Sequence, residues 1–240
     1  MRACDTFEIE RAAVATWPTS TLLRRDGWLL RHCDRLRRRR SNSALPLGPL
    51  TDPEAAIETV ERFYAERSNP TIVQVSPLEE HSELDRVLAE RGYRADAPVV
   101  IMRAEREALL QACPPQGFEV LLDASPAPRW LDAVERVGGR PEPSLDRVPA
   151  PVAFATAVHR GVPVGVGMFA VSDGWCGVYG MHTAPEWRRR GVAASLVRAG
   201  AGWASAGRVF LQVETDNSVA RSRYESLGFI RAHAYHYRVR

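Results

Sequence analysis

Two periods of apolar residues run through the chain. Runs that alternate or stay apolar over four to eight residues argue for strands, and apolar residues three and four apart argue for helices. In the N-terminal half, GWLLRHCDR and RRRRSNSALPL read as paired strands. They are followed by a helix from Pro53 to about Arg67, a strand TIVQVS, a helix LDRVLAERGY and a closing strand APVVIMRA. CPPQG, Cys113 to Gly117, then interrupts the pattern with two prolines and a glycine, as a domain boundary does.

Beyond it, FEVLLDA reads as a strand. In APRWLDAVERVGG, Trp130, Leu131, Val134 and Val137 fall at helical spacing ahead of terminating glycines. PVAFATAVHRG and VPVGVGMFAVSDG predict a hairpin turning at Arg160-Gly161, and GWCGVYGMHTA a further strand. A helix follows from about Arg190 to Ala206, then a buried-looking strand RVFLQVE. SVARSRYESLGF reads as a helix ending at Gly228, and HAYHYRVR as a final strand.

The two halves resemble each other. Thr51-Asp52-Pro53-Glu54 parallels Thr183-Ala184-Pro185-Glu186, TIVQVS parallels VFLQVE, and Gly92-Tyr93 parallels Gly228-Phe229. The expected class is α/β, an α+β mixed sheet, in two tandem copies: residues 1–112, a linker 113–117, and residues 118–240.

Composition narrows the setting. With 32 basic and 29 acidic residues the net charge is +3, which makes no case for a nucleic-acid partner. Every basic residue is arginine, as codon bias in a GC-rich, bacterial genome would produce. Cys4, Cys33, Cys113 and Cys176 are scattered without metal-ligand spacing. No stretch reads as a signal peptide or membrane span. These features point to free thiols in a reduced cytoplasmic compartment.

The chemistry concentrates in TAPEWRRRGVAASLV, Thr183 to Val197. Arg188, Arg189, Arg190, Gly191, Val192 and Ala193 form R-x-x-G-x-A between a strand and a helix. The stretch reads equally as a charged first helical turn or as an anion cradle. In a cradle, the N–H groups of the first turn and the helix dipole hold a pyrophosphate. Gly191 then admits close backbone approach, Ala193 keeps the next turn clear, and the arginines add charge-assisted bonds.

Downstream, NSVARSRYESLGF supplies Asn217, Ala220, Tyr224, Gly228 and Phe229. The order strand, R-x-x-G-x-A, helix, strand, Asn, helix with Tyr, Gly-Phe, strand resembles the GNAT superfamily of acyl-CoA N-acyltransferases over most of residues 118–240. In the first copy AIETVE, Ala56 to Glu61, stands where the arginine–glycine loop would be, so that copy is expected to be degenerate. Asp26 to Arg31, Asn42-Ser43 and Pro46-Leu47 also resemble the DGWLLR…NS…PL pattern of bacterial tandem-GNAT proteins, some of which are labelled as similar to N-acetylglutamate synthases.

The resemblance implies direct acetyl transfer from acetyl-CoA, a co-substrate, to a deprotonated amine. A backbone N–H of Met181, His182 and Thr183 would meet the oxyanion, and the pantetheine arm would pair with that segment. Tyr224 matches the general acid, against the alternative of a core tyrosine. Asn217 would cap its helix and contact the cofactor, or serve as a plain cap. Gln212 stands where related enzymes carry a Glu, and Gly177 near where histone-type members do, so Glu214 and His182 are the local candidates for the base. Each is equally readable as an ordinary strand residue, and a water chain would replace either.

The run Arg35 to Arg40 reads as a solvated strand face, a nucleic-acid contact or a lure for an anionic substrate at the mouth of the cleft. The expected acceptor is a small-molecule amine or amino acid. The alternatives are a protein N-terminus or lysine, and a binding module that senses acyl-CoA without turnover. No membrane partner is expected, and a homodimer stays open.

Overall fold

Asp26-Gly27, Arg160-Gly161 and Asp173-Gly174 each place two consecutive residues at positive φ, between 49° and 80°. That is the signature of the tight turn whose twist matches antiparallel strands. These turns join β1 (Thr21–Arg25) to β2 (Trp28–His32), β7 (Val152–His159) to β8 (Val162–Ser172), and β8 to β9 (Trp175–Thr183). The hairpin expected at Arg160-Gly161 is therefore present. The computed structural model describes residues 3–48, 50, 52–111, 117–148 and 151–240; most of the 113–117 linker and Thr51 lie outside these.

The remaining elements, in chain order, are α1 (Ala3–Ala15), β3 (Ala44–Pro46), α2 (Pro53–Ala65), β4 (Ile72–Val75), α3 (Ser82–Glu90), β5 (Arg94–Glu105), α4 (Arg106–Gln111), β6 (Glu119–Asp123), α5 (Pro128–Arg136), α6 (Val192–Trp203), β10 (Arg208–Glu214), α7 (Ser218–Glu225) and β11 (Ile230–Val239). The class is the mixed α/β one expected.

Two compact units cut across the linear division of the chain. The first comprises Met1–Ile101, Val213–Asn217 and Arg231–Arg240, the second Met102–Gln212 and Ser218–Ile230. The strand HAYHYRVR thus belongs to the first unit, where β11 pairs antiparallel with β4 from His236↔Val75 to Val239↔Ile72. Ion pairs bolt it there. Asp85 of α3 accepts from Arg238 (2.8 Å and 3.0 Å) and lies 2.7 Å from His236.

In the first unit β1, β2 and β3 run antiparallel, and β3 pairs parallel with β4 at Ala44↔Val73 across the α2 crossover. Asp52 caps α2 by accepting from the Ala55 N–H (3.1 Å), with Pro53 in its first turn. Ile57, Val60, Phe63 and Tyr64 of α2 pack with Trp28, Leu30, Val73 and Val75. The DGWLLR…NS…PL residues are structural. The Trp28 indole donates to the Ala56 carbonyl (3.0 Å), and Arg31 donates to the Ser43 carbonyl (3.0 Å) and hydroxyl (2.6 Å). Leu47 N–H bonds Gly27 (2.9 Å), closing the pattern on itself.

The expected strand through the arginine run is absent. Residues 33–38 are irregular and Arg39–Ser41 form a 3-10 turn. Leu36 is buried, and the Asn42 amide donates to the Leu36 and Arg38 carbonyls, which holds this backbone out of a ladder. Arg39 pairs with Asp96, and Arg40 lies over Trp17, 4.5 Å from the ring centroid.

A buried polar group ties α1 into this unit. Glu10, 2% exposed, accepts from Gln74 Nε2 (3.0 Å), the Ser76 hydroxyl and His233 Nε2 (2.7 Å); Gln74 in turn accepts from Arg31 (2.7 Å). Burial alone would raise the Glu10 carboxyl. The bond and charge of His233, the Ser76 hydroxyl and the charge of Arg31 outweigh it and hold the group below the usual carboxylate range.

The second unit stacks helices on both faces of β6–β10. Gly165 and Gly200 let α6 lie close, since a Cβ would meet Val192 at 2.4 Å and Phe169 at 2.3 Å respectively. On the other face Trp130 of α5 donates to the Ala155 carbonyl (3.1 Å) and packs edge-on against Phe154. Cys33 and Cys176 are free and buried. Among the described residues no helix is long and apolar enough to cross a membrane, and there is no metal-binding cluster.

Removing Glu10 orphans three buried donors, so Glu10→Ala is expected to cost roughly 3–5 kcal/mol of unfolding free energy at pH 7. Because the folded carboxyl is depressed, its stabilisation is present above the unfolded value and is lost as pH falls through the folded one. Urea titrations of both proteins should therefore differ strongly at pH 7, and the difference should shrink as the pH falls below the ordinary carboxylate value of about 4.3.

Candidate active site

β9 and β10 run parallel, from Arg208↔Trp175 to Leu211↔Val178, and their pairing stops there. β9 continues to Thr183, so Gly180 to Thr183 have no β10 partner. On its other edge β9 pairs with β8 through a register shift between Val166↔His182 and Met168↔Tyr179. The extra residue falls at Gly180-Met181, and Gly180 has φ 57°. A bulge of this kind re-aims backbone groups at a sheet edge. The isolated glycine in GWCGVYGMHTA is the sequence sign of it.

The loop that follows is built for close backbone approach. Pro185–Trp187 make one 3-10 turn, Arg189 has φ 62°, and Gly191 has φ 93° as the N-cap of α6. The helix expected from about Arg190 to Ala206 thus runs Val192–Trp203. A glycine cap brings no side chain to the first turn, which also holds no acidic residue. Arg188, Arg189 and Arg190 are all exposed, and Arg188 Nε lies 3.4 Å from the Thr183 carbonyl. Exposed guanidinium groups, an uncapped helix start and positive-φ backbone fit a pyrophosphate of acetyl-CoA.

His182 lies on the face of the sheet that carries α5, where a Cβ on Gly139 would meet its Cδ2 at 2.8 Å. Its Nδ1 lies 3.1 Å from the Met181 carbonyl. A carbonyl only accepts, so Nδ1 carries the proton and Nε2 presents a lone pair. Burial first, and the Arg188 charge second, lower its pKa below the ordinary histidine value. A neutral imidazole with an available nitrogen can take a proton from an ammonium.

Tyr224 sits on α7, half-buried, with its ring edge-on to Phe229 at 5.7 Å. Burial pushes its phenol up to about 12, so it keeps its proton at neutral pH. Gly228, with φ 95°, closes the turn after α7 and lets the Phe229 N–H reach the Tyr224 carbonyl (3.0 Å). Met181, His182, Thr183, Arg188 to Ala193 and Tyr224 all belong to the second unit. Glu214, exposed at the end of β10, and Asn217, whose N–H donates to the Glu214 carbonyl (3.0 Å), fall in the first. Gly177 leaves no room for an acid, because a Cβ there would meet the Tyr179 ring at 2.6 Å.

A strand–helix–strand crossover with parting strands and a glycine-capped arginine loop defines an acyl-CoA N-acyltransferase of the GNAT type. Residues 4–238 match the family described as "Probable histone acetyltransferase Rv0428c C-terminal", and the chain belongs to that family. It is 26% identical over 247 residues to the "Uncharacterized N-acetyltransferase YobR" of Bacillus subtilis (strain 168), covering 98% of this chain and 99% of that one. In structure it resembles a GCN5-related N-acetyltransferase from Kribbella flavida (TM-score 0.78, 19% identity, 98% of this chain and 95% of that one). It also resembles a tandem GNAT protein from the clavulanic acid biosynthesis pathway (TM-score 0.59, 12% identity, 88% and 73% of the two chains).

The Arg188 charge acts on His182 in one direction, and removing it should be visible directly. Arg188→Gln is expected to move the His182 imidazole midpoint upward, toward the ordinary value of about 6.5. An NMR titration of the ring C–H signals reads this, and an unchanged midpoint would leave burial as the whole cause.

Proposed function

We propose that this protein transfers the acetyl group of acetyl-CoA to the amine of a small molecule or amino acid, by direct attack. Residues 118–240 are the working GNAT copy, and residues 1–112 a degenerate one that supports it. The carrying observation is the end of β9–β10 pairing at Val178 and Leu211, with the glycine-capped arginine loop on the same crossover.

In this reading the first-turn amides of α6 and Arg188 to Arg190 take the pyrophosphate. The segment Met181 to Thr183 offers backbone partners to the pantetheine arm and an N–H to the oxyanion. His182 Nε2 accepts the amine proton, so that the freed lone pair attacks the thioester carbon. As the C–S bond breaks, Tyr224 donates its hydroxyl hydrogen to the departing sulfur, and the second proton of the attacking nitrogen passes through water to the phenolate, which restores the neutral Tyr224. Glu214 is the weaker candidate for the base, because it falls in the other unit.

The family's description names histone acetylation, which supports a second reading with a protein lysine as acceptor. The charge balance speaks against it: a chain of net charge +3 offers no acidic field to a lysine-rich tail. Gln212, which cannot take a proton, also stands where protein N-terminal acetyltransferases carry a Glu.

Calorimetric titration with acetyl-CoA is expected to give micromolar binding. Gly191→Glu should weaken it at least about tenfold, since a side chain at φ 93° is strained and its charge repels phosphate. Thiol release should then follow with small amines in preference to lysine peptides. His182→Gln and Tyr224→Phe are each expected to lower kcat by roughly 10²-fold or more. The wild-type acidic limb should fall below the ordinary histidine value. Acetyl-CoA binding with no thiol release from any amine would instead identify a sensing module.

A further inference from the structure

Trp187 ends the 3-10 turn that joins β9 to the arginine loop. Its indole is fixed from two directions. The His159 ring lies 4.6 Å away by centroids, tilted by 44°, and the Phe118 ring meets it edge-on at 6.0 Å and 80°. His159 is itself held, because its Nδ1–H donates to the Gly117 carbonyl (2.8 Å). Onto this clamped ring Arg190 folds back, placing its guanidinium 5.1 Å from the indole centroid. The positive φ of Arg189, 62°, lies in the stretch between the two residues. Among the described residues Arg190 has no carboxylate partner, so the indole is what its guanidinium rests on.

We propose that Trp187 is a positioning residue for acetyl-CoA binding, a platform that presents the Arg190 guanidinium to the anion at the start of α6. The proposal rests on the cradle reading of the loop. An arginine side chain samples many rotamers, and gripping a phosphate costs it that freedom. A cation–π contact with tryptophan, the strongest aromatic partner, limits the rotamers beforehand and leaves the five N–H donors at the guanidinium edge available. The clamp by His159 and Phe118 matters because a mobile indole would pass its own disorder to the arginine.

A double-mutant cycle on the full chain tests this, with calorimetric Kd and steady-state KM for acetyl-CoA as readouts. Trp187→Leu is expected to weaken binding about two- to fivefold, the range of an exposed cation–π contact, raising KM and leaving kcat in place. Trp187→Phe, which keeps an aromatic face, should recover part of the loss. In an Arg190→Gln background, Trp187→Leu should add nothing further. Additive effects of the two substitutions, or a Trp187→Phe protein no better than Trp187→Leu, would overturn the platform while leaving the cradle intact. Wild-type protein that binds no acetyl-CoA would overturn the cradle and the platform together.

Discussion

The second unit is organised by the parting of two parallel strands. β9 and β10 share a ladder only to Val178 and Leu211, and the α6 crossover begins at the carboxyl end of β9. In open α/β sheets the crevice at the strand carboxyl ends is where ligands bind. The bulge at Gly180 adds to this by shifting the β8–β9 register just where the β10 partner is lost. Backbone groups at the edge, helix N–H groups and arginines therefore meet within one stretch of chain, from Gly180 to Ala193.

Close packing keeps that stretch in place. Gly165 and Gly200 bring α6 against β8 at distances no side chain would allow, which fixes where the helix begins. Gly139 does the same for His182 on the opposite face. The electrostatics follow from the placement. Arg188, near enough to Thr183 to meet its carbonyl, helps keep the neighbouring imidazole neutral, and burial keeps the Tyr224 phenol protonated. One group suited to accept a proton and one suited to give it result from surroundings, not from residue type alone.

The first unit puts its polar residues to a different use. Its own parallel crossover, β3–α2–β4, begins α2 with an Asp52 cap where α6 has Gly191. A carboxylate at that position satisfies a first-turn N–H internally and repels phosphate. Arg31, Gln74, Ser76 and His233 close around Glu10 and one another, so these polar groups tie α1 to β4 and β11.

Local patterns in the sequence carried most of the elements. The Arg160-Gly161 hairpin, the strands TIVQVS and RVFLQVE, the helix in SVARSRYESLGF, which stops at Glu225 ahead of the Gly228 turn, and the R-x-x-G-x-A loop are legible because turn chemistry and periodicity act over a few residues. α1 and β1 are not legible in the linear pattern. α1 owes its burial to partners such as His233, more than two hundred residues away, and β1 is an exposed edge that TLLRR alone does not announce. The arginine run read as a strand because propensity says nothing of the Asn42 bonds that fold it into a turn. Only tertiary structure could assign β11 to the first unit, place Arg190 on Trp187 or set the state of His182. Each depends on which distant groups share a neighbourhood, and a linear pattern does not encode that.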